Sequence, residues 1–289
     1  MNIQASALSF DGRERTPTDP TLSRVAKCGR HTTMPLDNGP LLNTGSGLRV
    51  VAFLMSRFAG DKSLSDLAVA AAVCRDDGTL VHQLDDMLVG LPPEACLGVT
   101  ADPEASWHRT LQTTLQNVDV VVTPDAWAQR QSVEAVHNGF ARLDWGCARK
   151  DIDWHGVRLP SDRLTDIRIR FDVLRRNRRA LDECHFVLAI LTQPSSQGQK
   201  PPLAQLLASV DAEVVRLFAG DVPAAHMPAL EQRGYRWSPG QNGAPVGLFV
   251  DRKQDGAQAE RRFLGRLLGR DEAELLERPL PADQRYRLP

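Results

Sequence analysis

Arginines are the residues of this chain whose crowding most invites chemistry. Arg163, Arg168, Arg170, Arg175, Arg176, Arg178 and Arg179 fall within seventeen residues, with Asp162, Asp166 and Asp172 as the acids nearby. A guanidinium stays charged at working pH and presents a planar fork to phosphate oxygens. The segment therefore reads in one of two ways. It is a phosphate-binding stripe with salt-sensitive affinity for nucleic acid, or it is the solvated face of a helix. A second basic group, Arg252, Lys253, Arg261, Arg262, Arg266 and Arg270, is diluted by Glu260, Asp271 and Glu272 and reads as a solvated face. Tyr235, Arg236 and Trp237 combine two aromatic rings with a cation, a set able to stack a base and clamp a phosphate. The same residues also suit the core of a small hairpin; Trp237 is expected there, and Arg236 is open between the two roles. Cys147 and Cys184 read as packing residues, because no motif places an activating histidine beside them.

These side chains need a frame. Residues 1 to 47 are rich in Pro, Gly, Ser, Thr and charge and are expected to form a disordered arm. Leu48 to Leu54 reads as a buried strand, Leu64 to Arg75 as a second and Leu80 to Leu88 as a third. Asp76-Asp77-Gly78-Thr79 supplies a hairpin turn between the last two, so the three runs predict an antiparallel meander. Pro103 to Gln116 predicts a helix with Trp107, Leu111 and Leu115 on one face. Val118 to Val122 predicts a central strand, and Pro124 to His137 a helix with proline in its first turn. Helices are expected over Leu159 to Phe171 and over Arg178 to Leu191. The run from Gln193 to Pro202 is a linker by composition. Beyond it, Leu203 to Asp211 predicts a helix, Glu213 to Ala219 a strand, and Ala224 to Gln232 a short helix stopped by Gly234. Tyr235 to Trp237 and Val246 to Val250 predict a hairpin, and Ala257 to Leu268 a basic helix. The last twenty residues are polar and read as a docked or loose tail.

The overall balance is that of an ordinary globular chain. Of 289 residues, 42% are hydrophobic and 25% charged, and the net charge of -1 offers no global attraction to nucleic acid or membrane. Any nucleic-acid surface must then be a local patch. Five scattered cysteines without a CxxC pair point to reduced thiols and a cytoplasmic location. No apolar run is long enough to span a bilayer, and the N-terminus lacks a signal-peptide pattern.

Several short motifs occur in a shared order. Trp145-Gly146-Cys147-Ala148 precedes Asp151-Ile152-Asp153-Trp154, Arg179-Ala180 stands before Cys184, and Arg233-Gly234-Tyr235-Arg236-Trp237 lies near the C-terminus; Leu97-Gly98-Val99-Thr100 comes earlier. Together they resemble the DEDDh 3′→5′ exonuclease family, in the branch similar to the proofreading (epsilon) subunit of DNA polymerase III. The resemblance covers about residues 48 to 270. It implies an α/β, ribonuclease-H-like exonuclease fold over 48–192, a linker at 193–202, and a small C-terminal α+β module over 203–289 carrying the Arg-Gly-Tyr-Arg-Trp signature.

Family members hydrolyse nucleic acid with two divalent metals, usually Mg²⁺, held by four carboxylates, and a histidine takes the proton from the attacking water. Residue by residue, the resemblance puts Met55 and Arg57 where the first strand carries an Asp-x-Glu pair. Gln129 falls where an aspartate follows the central strand, Arg178 where the histidine stands, and Glu183 where the last metal ligand stands. Glu183 is the retained acid. Arg57 and Arg178 would set positive charge where the metals sit, a repulsion of several kcal/mol per pair at an effective dielectric of ~20. Either could instead form a salt bridge with Glu183. His137-Asn138 lies downstream of the second motif and is not counted with it. The resemblance implies an impaired hydrolase that binds single-stranded nucleic acid, or a replication or repair protein, through Arg57, Arg163, Arg168, Arg170, Arg175, Arg176, Arg178 and Arg236, with no cofactor. Two alternatives stand beside it. One is an active exonuclease that uses Mg²⁺ or Mn²⁺ on displaced acids among Asp125, Asp182, Glu183 and Asp61. The other is a protein-interaction scaffold. DNA and RNA are not distinguished by these residues.

Overall fold

Three apolar strands open the described part of the chain. The structure, a computed structural model, describes residues 47–58, 64–90, 106–154, 180–193, 200–220, 222–240 and 243–288. All of them lie within one compact unit, Met34–Pro289. Strands β1 (Leu48–Phe58), β2 (Leu64–Arg75) and β3 (Leu80–Gly90) form the expected antiparallel meander. The β2–β3 turn holds Gly78 at a φ of +78°, and a Cβ there would lie 2.5 Å from the Ala204 nitrogen. Only glycine meets both demands. Strand β4 (Val120–Thr123) lies parallel to β1, and β5 (Asp144–Cys147) parallel to β4. The sheet order is β3-β2-β1-β4-β5, with β2 alone running against the other four.

Side chains alternate across this sheet and feed two helical layers. Val51, Phe53 and Met55 join a core with Cys184, Val187 and Leu191 of α3 (Ala180–Thr192) and Leu203, Leu206 and Val210 of α4 (Pro202–Asp211). Val50, Ala52 and Leu54 face the other way, toward Leu111 and Leu115 of α1 (Ser106–Gln116) and Val133 and Val136 of α2 (Ala126–Val136). Burial on both faces explains why β1 and β4 read as continuous apolar runs instead of alternating ones.

A second sheet, ordered β7-β8-β6-β9 and antiparallel throughout, follows. It is built from β6 (Val214–Gly220), β7 (Arg236–Pro239), β8 (Val246–Lys253) and β9 (Leu276–Pro279). Leu217, Leu248 and Val250 pack one face of it against Ala257 and Leu264 of α6 (Gln254–Leu268) and Leu230 of α5 (Met227–Gln232).

Several expectations change in detail. Helix α2 starts after an Asp125 N-cap, so Pro124 precedes the helix instead of opening it. Ala224–His226 is a 3-10 turn leading into α5, and Tyr235 precedes β7. Helix α4 follows the linker in sequence but belongs to the first core. Gly146 on β5 explains this: a Cβ there would lie 2.4 Å from Leu206 Cδ2, so the missing side chain lets α4 seat directly on the strand. The last twenty residues are a docked tail and not a loose one. They add edge strand β9 beside β6 and then return, placing Tyr286 in the core under α2. The arm through residue 46, the helix expected over 159–171 and most of the linker lie outside the described residues.

Candidate functional site

The carboxyl ends of the parallel strands and the start of α3 frame the site. Met55 is 5% exposed on β1, in the same apolar cluster as Ala180 and Cys184 of α3. Glu183 is on α3 and buried, at 3% exposure. The structure therefore brings these two positions into one layer. Gln129 is buried on α2, whose apolar residues Ala126 and Val133 belong to the opposite layer. It does not join the Met55 cluster. Arg57 continues β1 opposite Asp66, but its side chain lies outside the described residues. So do Arg163, Arg168, Arg170, Arg175, Arg176, Arg178 and Arg179, Asp61, the Leu97–Thr100 motif and either salt bridge expected for Glu183.

Of the acids offered as an alternative site, Asp125 has a structural role. Asp125 caps α2 by accepting from the Ala128 N–H at 3.3 Å and lies 3.5 Å from Arg149 Nη1. Asp182 is exposed on α3 beside the buried Glu183. Among the described residues no group of three or more His, Cys, Asp or Glu side chains is placed to hold a metal ion. His137 caps the short 3-10 helix Asn138–Arg142, its Nδ1 accepting from the Gly139 N–H at 3.0 Å. Burial and the neighbouring His108 ring push its pKa down to about 4. Cys147 is pushed up to about 11, chiefly by burial, and so stays a thiol at neutral pH.

One feature of this region had no signal in the sequence. Ser56 Oγ, Thr123 Oγ1 and Gln129 Oε1 are sealed from solvent and have no hydrogen-bond partner among the described residues. Alternation puts Ser56 and Thr123 on the α2 face, at the carboxyl ends of β1 and β4. A serine and a threonine ending apolar runs read as strand termini, and nothing in their spacing announces a shared buried layer.

Among the described residues, the motifs around Trp145, Asp151 and Tyr235 are framework. Trp145 Nε1 donates to the Phe140 carbonyl at 3.1 Å, and Trp154 Nε1 to that of Ala148 at 2.8 Å. Asp151 accepts from the Cys147 N–H at 2.7 Å, Ser209 Oγ at 3.0 Å and Tyr286 Oη at 2.5 Å. One carboxylate thus ties β5, α4 and the C-terminus together. In the C-terminal signature, Arg233 forks onto Glu260 at 3.0 and 2.8 Å, and Tyr235 Oη donates to Glu260 Oε1 at 3.0 Å. Tyr235 is buried. Trp237, expected in the hairpin core, is 58% exposed. Tyr235 occupies the core of this sheet beside Leu230 and Leu248, and the signature's second aromatic is left on the surface. Arg236 lies over the Trp127 ring, 4.1 Å from its centroid.

No protein-family model matches the chain, and no curated protein matches it. Among the described residues no helix is long and apolar enough to cross a membrane.

Proposed function

We propose that this chain is a nucleic-acid-binding protein on a ribonuclease-H-like, DEDDh exonuclease-like fold, with its hydrolytic site impaired, serving as an accessory in DNA replication or repair. The observation that carries this reading is Met55. Its thioether lies in a sealed apolar layer with residues of α3, at the position where the resemblance calls for a metal-holding carboxylate. A thioether is a poor ligand for hard Mg²⁺. The strand order β3-β2-β1-β4-β5, with β2 alone reversed, supports the fold half of the reading. The buried Glu183 on α3 is consistent with a retained acid that now serves the packing of that helix. The arginines of 163–178 supply the proposed contact with single-stranded nucleic acid, through phosphates, and so without choosing a sequence.

End-labelled single-stranded DNA and RNA, incubated with the protein in Mg²⁺ and in Mn²⁺ beside a Glu183→Ala variant, test the hydrolytic half. Intact substrate in every lane is expected. Metal-dependent shortening from the 3′ end that Glu183→Ala abolishes would overturn the impaired-site reading.

A further inference from the structure

A cavity of about 240 Å³ lies where α2, the loop after β5, β7, β8 and the C-terminal segment meet. It is smaller than the ~300–1,000 Å³ typical of pockets for drug-sized ligands, so its occupant is small. Its lining holds six cationic side chains and two carboxylates. Both carboxylates are already engaged. Asp151 accepts the three hydrogen bonds described above, and Asp251 takes a two-pronged bond from Arg216 at 2.6 and 2.9 Å. Two of the cations, Arg233 and Arg252, share Glu260.

Four cations remain. Lys150, Arg236, Lys253 and Arg285 line the cavity, and no described carboxylate forms an ion pair with any of them. Arg285 is 7% exposed and donates to the Ser209 and Ala212 carbonyls at 2.7 and 2.5 Å. Carbonyl dipoles satisfy its two terminal nitrogens without cancelling its charge, and Asp144 offsets that charge through space without forming an ion pair. The Arg236 guanidinium is held over Trp127, which fixes its orientation before any ligand arrives.

The chemistry of the occupant follows from these facts. Several uncommitted charges around a small volume favour a compact anion carrying more than one charge. Planar guanidinium forks match the oxygens of phosphate. The Trp127 ring is covered by Arg236 and abutted by Phe249 and Tyr286. Recognition is therefore of the phosphate group and not of a stacked base. We propose that this cavity binds a phosphate dianion, either free phosphate or a phosphomonoester on a small molecule or a nucleic-acid 5′ end. The site does not depend on the exonuclease-like reading, since none of Met55, Gln129, Arg178 or Glu183 lines it.

Titration calorimetry of the full chain tests this with three probes: inorganic phosphate, adenosine monophosphate, and a short oligonucleotide with and without a 5′-phosphate. The expected result is saturable binding of at least one phosphorylated probe. Arg236→Gln and, separately, Lys150→Gln should weaken it tenfold or more, and exposed Arg262→Gln should leave it unchanged. Lys150 lies outside the second sheet, so the pair guards against misfolding of either variant. Binding of inorganic phosphate assigns the site to free phosphate, and binding of the monophosphate without inorganic phosphate assigns it to a small ester. Binding of the 5′-phosphorylated oligonucleotide alone assigns it to a strand end. Absence of binding by all three at millimolar concentration overturns the proposal, as does binding that neither variant weakens.

Discussion

Glu260 shows how much of this chain's polar chemistry is structural. It is 2% exposed, on α6, and receives Arg233, Arg252 and Tyr235. Burial by itself would raise its pKa, but the hydrogen bonds from Arg233 and Arg252 outweigh burial and leave it below the ordinary carboxylate value. A depressed folded-state pKa contributes stability that is present above the unfolded value near 4.5 and is lost as pH falls through the folded one. Glu260→Gln removes the charge that two guanidinium groups are oriented around, at a cost of about 1–3 kcal/mol at neutral pH, since both arginines keep some contact with solvent. Urea unfolding should show that deficit at pH 7 and a smaller one below pH 4. An equal deficit at both would mean the carboxylate charge contributes nothing. Read from sequence, Glu260 counts only as an acid diluting a basic helix, and Tyr235 as one of two possible stacking rings. The partner that fixes both is 25 residues away in the chain, a distance that spacing rules do not bridge.

At the scale of elements, the meander and the central strand were legible because apolar runs bounded by turn residues have few other uses. The ends of the helices were less so. Proline at 124 looked like a first-turn residue, yet Asp125 wins the N-cap because its side chain can accept the Ala128 N–H. The seating of α4 was not legible, since a linker-like composition precedes it and the contact that places it is made by an absent side chain. Gly146→Ala tests that contact. The new methyl must displace Leu206, and overpacking of this kind costs about 1–3 kcal/mol. Thermal unfolding should fall by several degrees, and Leu206→Ala in the same chain should give a combined loss smaller than the sum of the two single losses, because the new methyl fills part of the space that Leu206 leaves. A Gly146→Ala protein as stable as the parent would show that α4 does not seat directly on β5. The C-terminal return was hidden for a related reason: Arg285 and Tyr286 stand in a polar stretch, and their partners Ser209, Ala212 and Asp151 lie far away in sequence.

For the whole molecule, a net charge of -1 forces any affinity for nucleic acid into local patches. The arginines from 163 to 179 are the proposed patch in sequence, and a second group of cations gathers in space around the cavity at Arg236 and Arg285. The first was visible as crowding along the chain. The second was not, because its members come from the loop after β5, β7, β8 and the C-terminus and meet only in the fold. The proposed binding of single-stranded nucleic acid without cleavage is tested most directly by the affinity for a labelled single strand across a salt series. Binding through phosphates releases counterions, so the logarithm of the association constant should fall linearly with the logarithm of salt, with a slope of about -0.7 for each phosphate neutralised. Several contacts are expected, and neutralising Arg168, Arg170, Arg175 and Arg176 together should remove most of the slope. No binding at 50 mM salt, or binding whose salt dependence those four substitutions leave intact, would contradict the account.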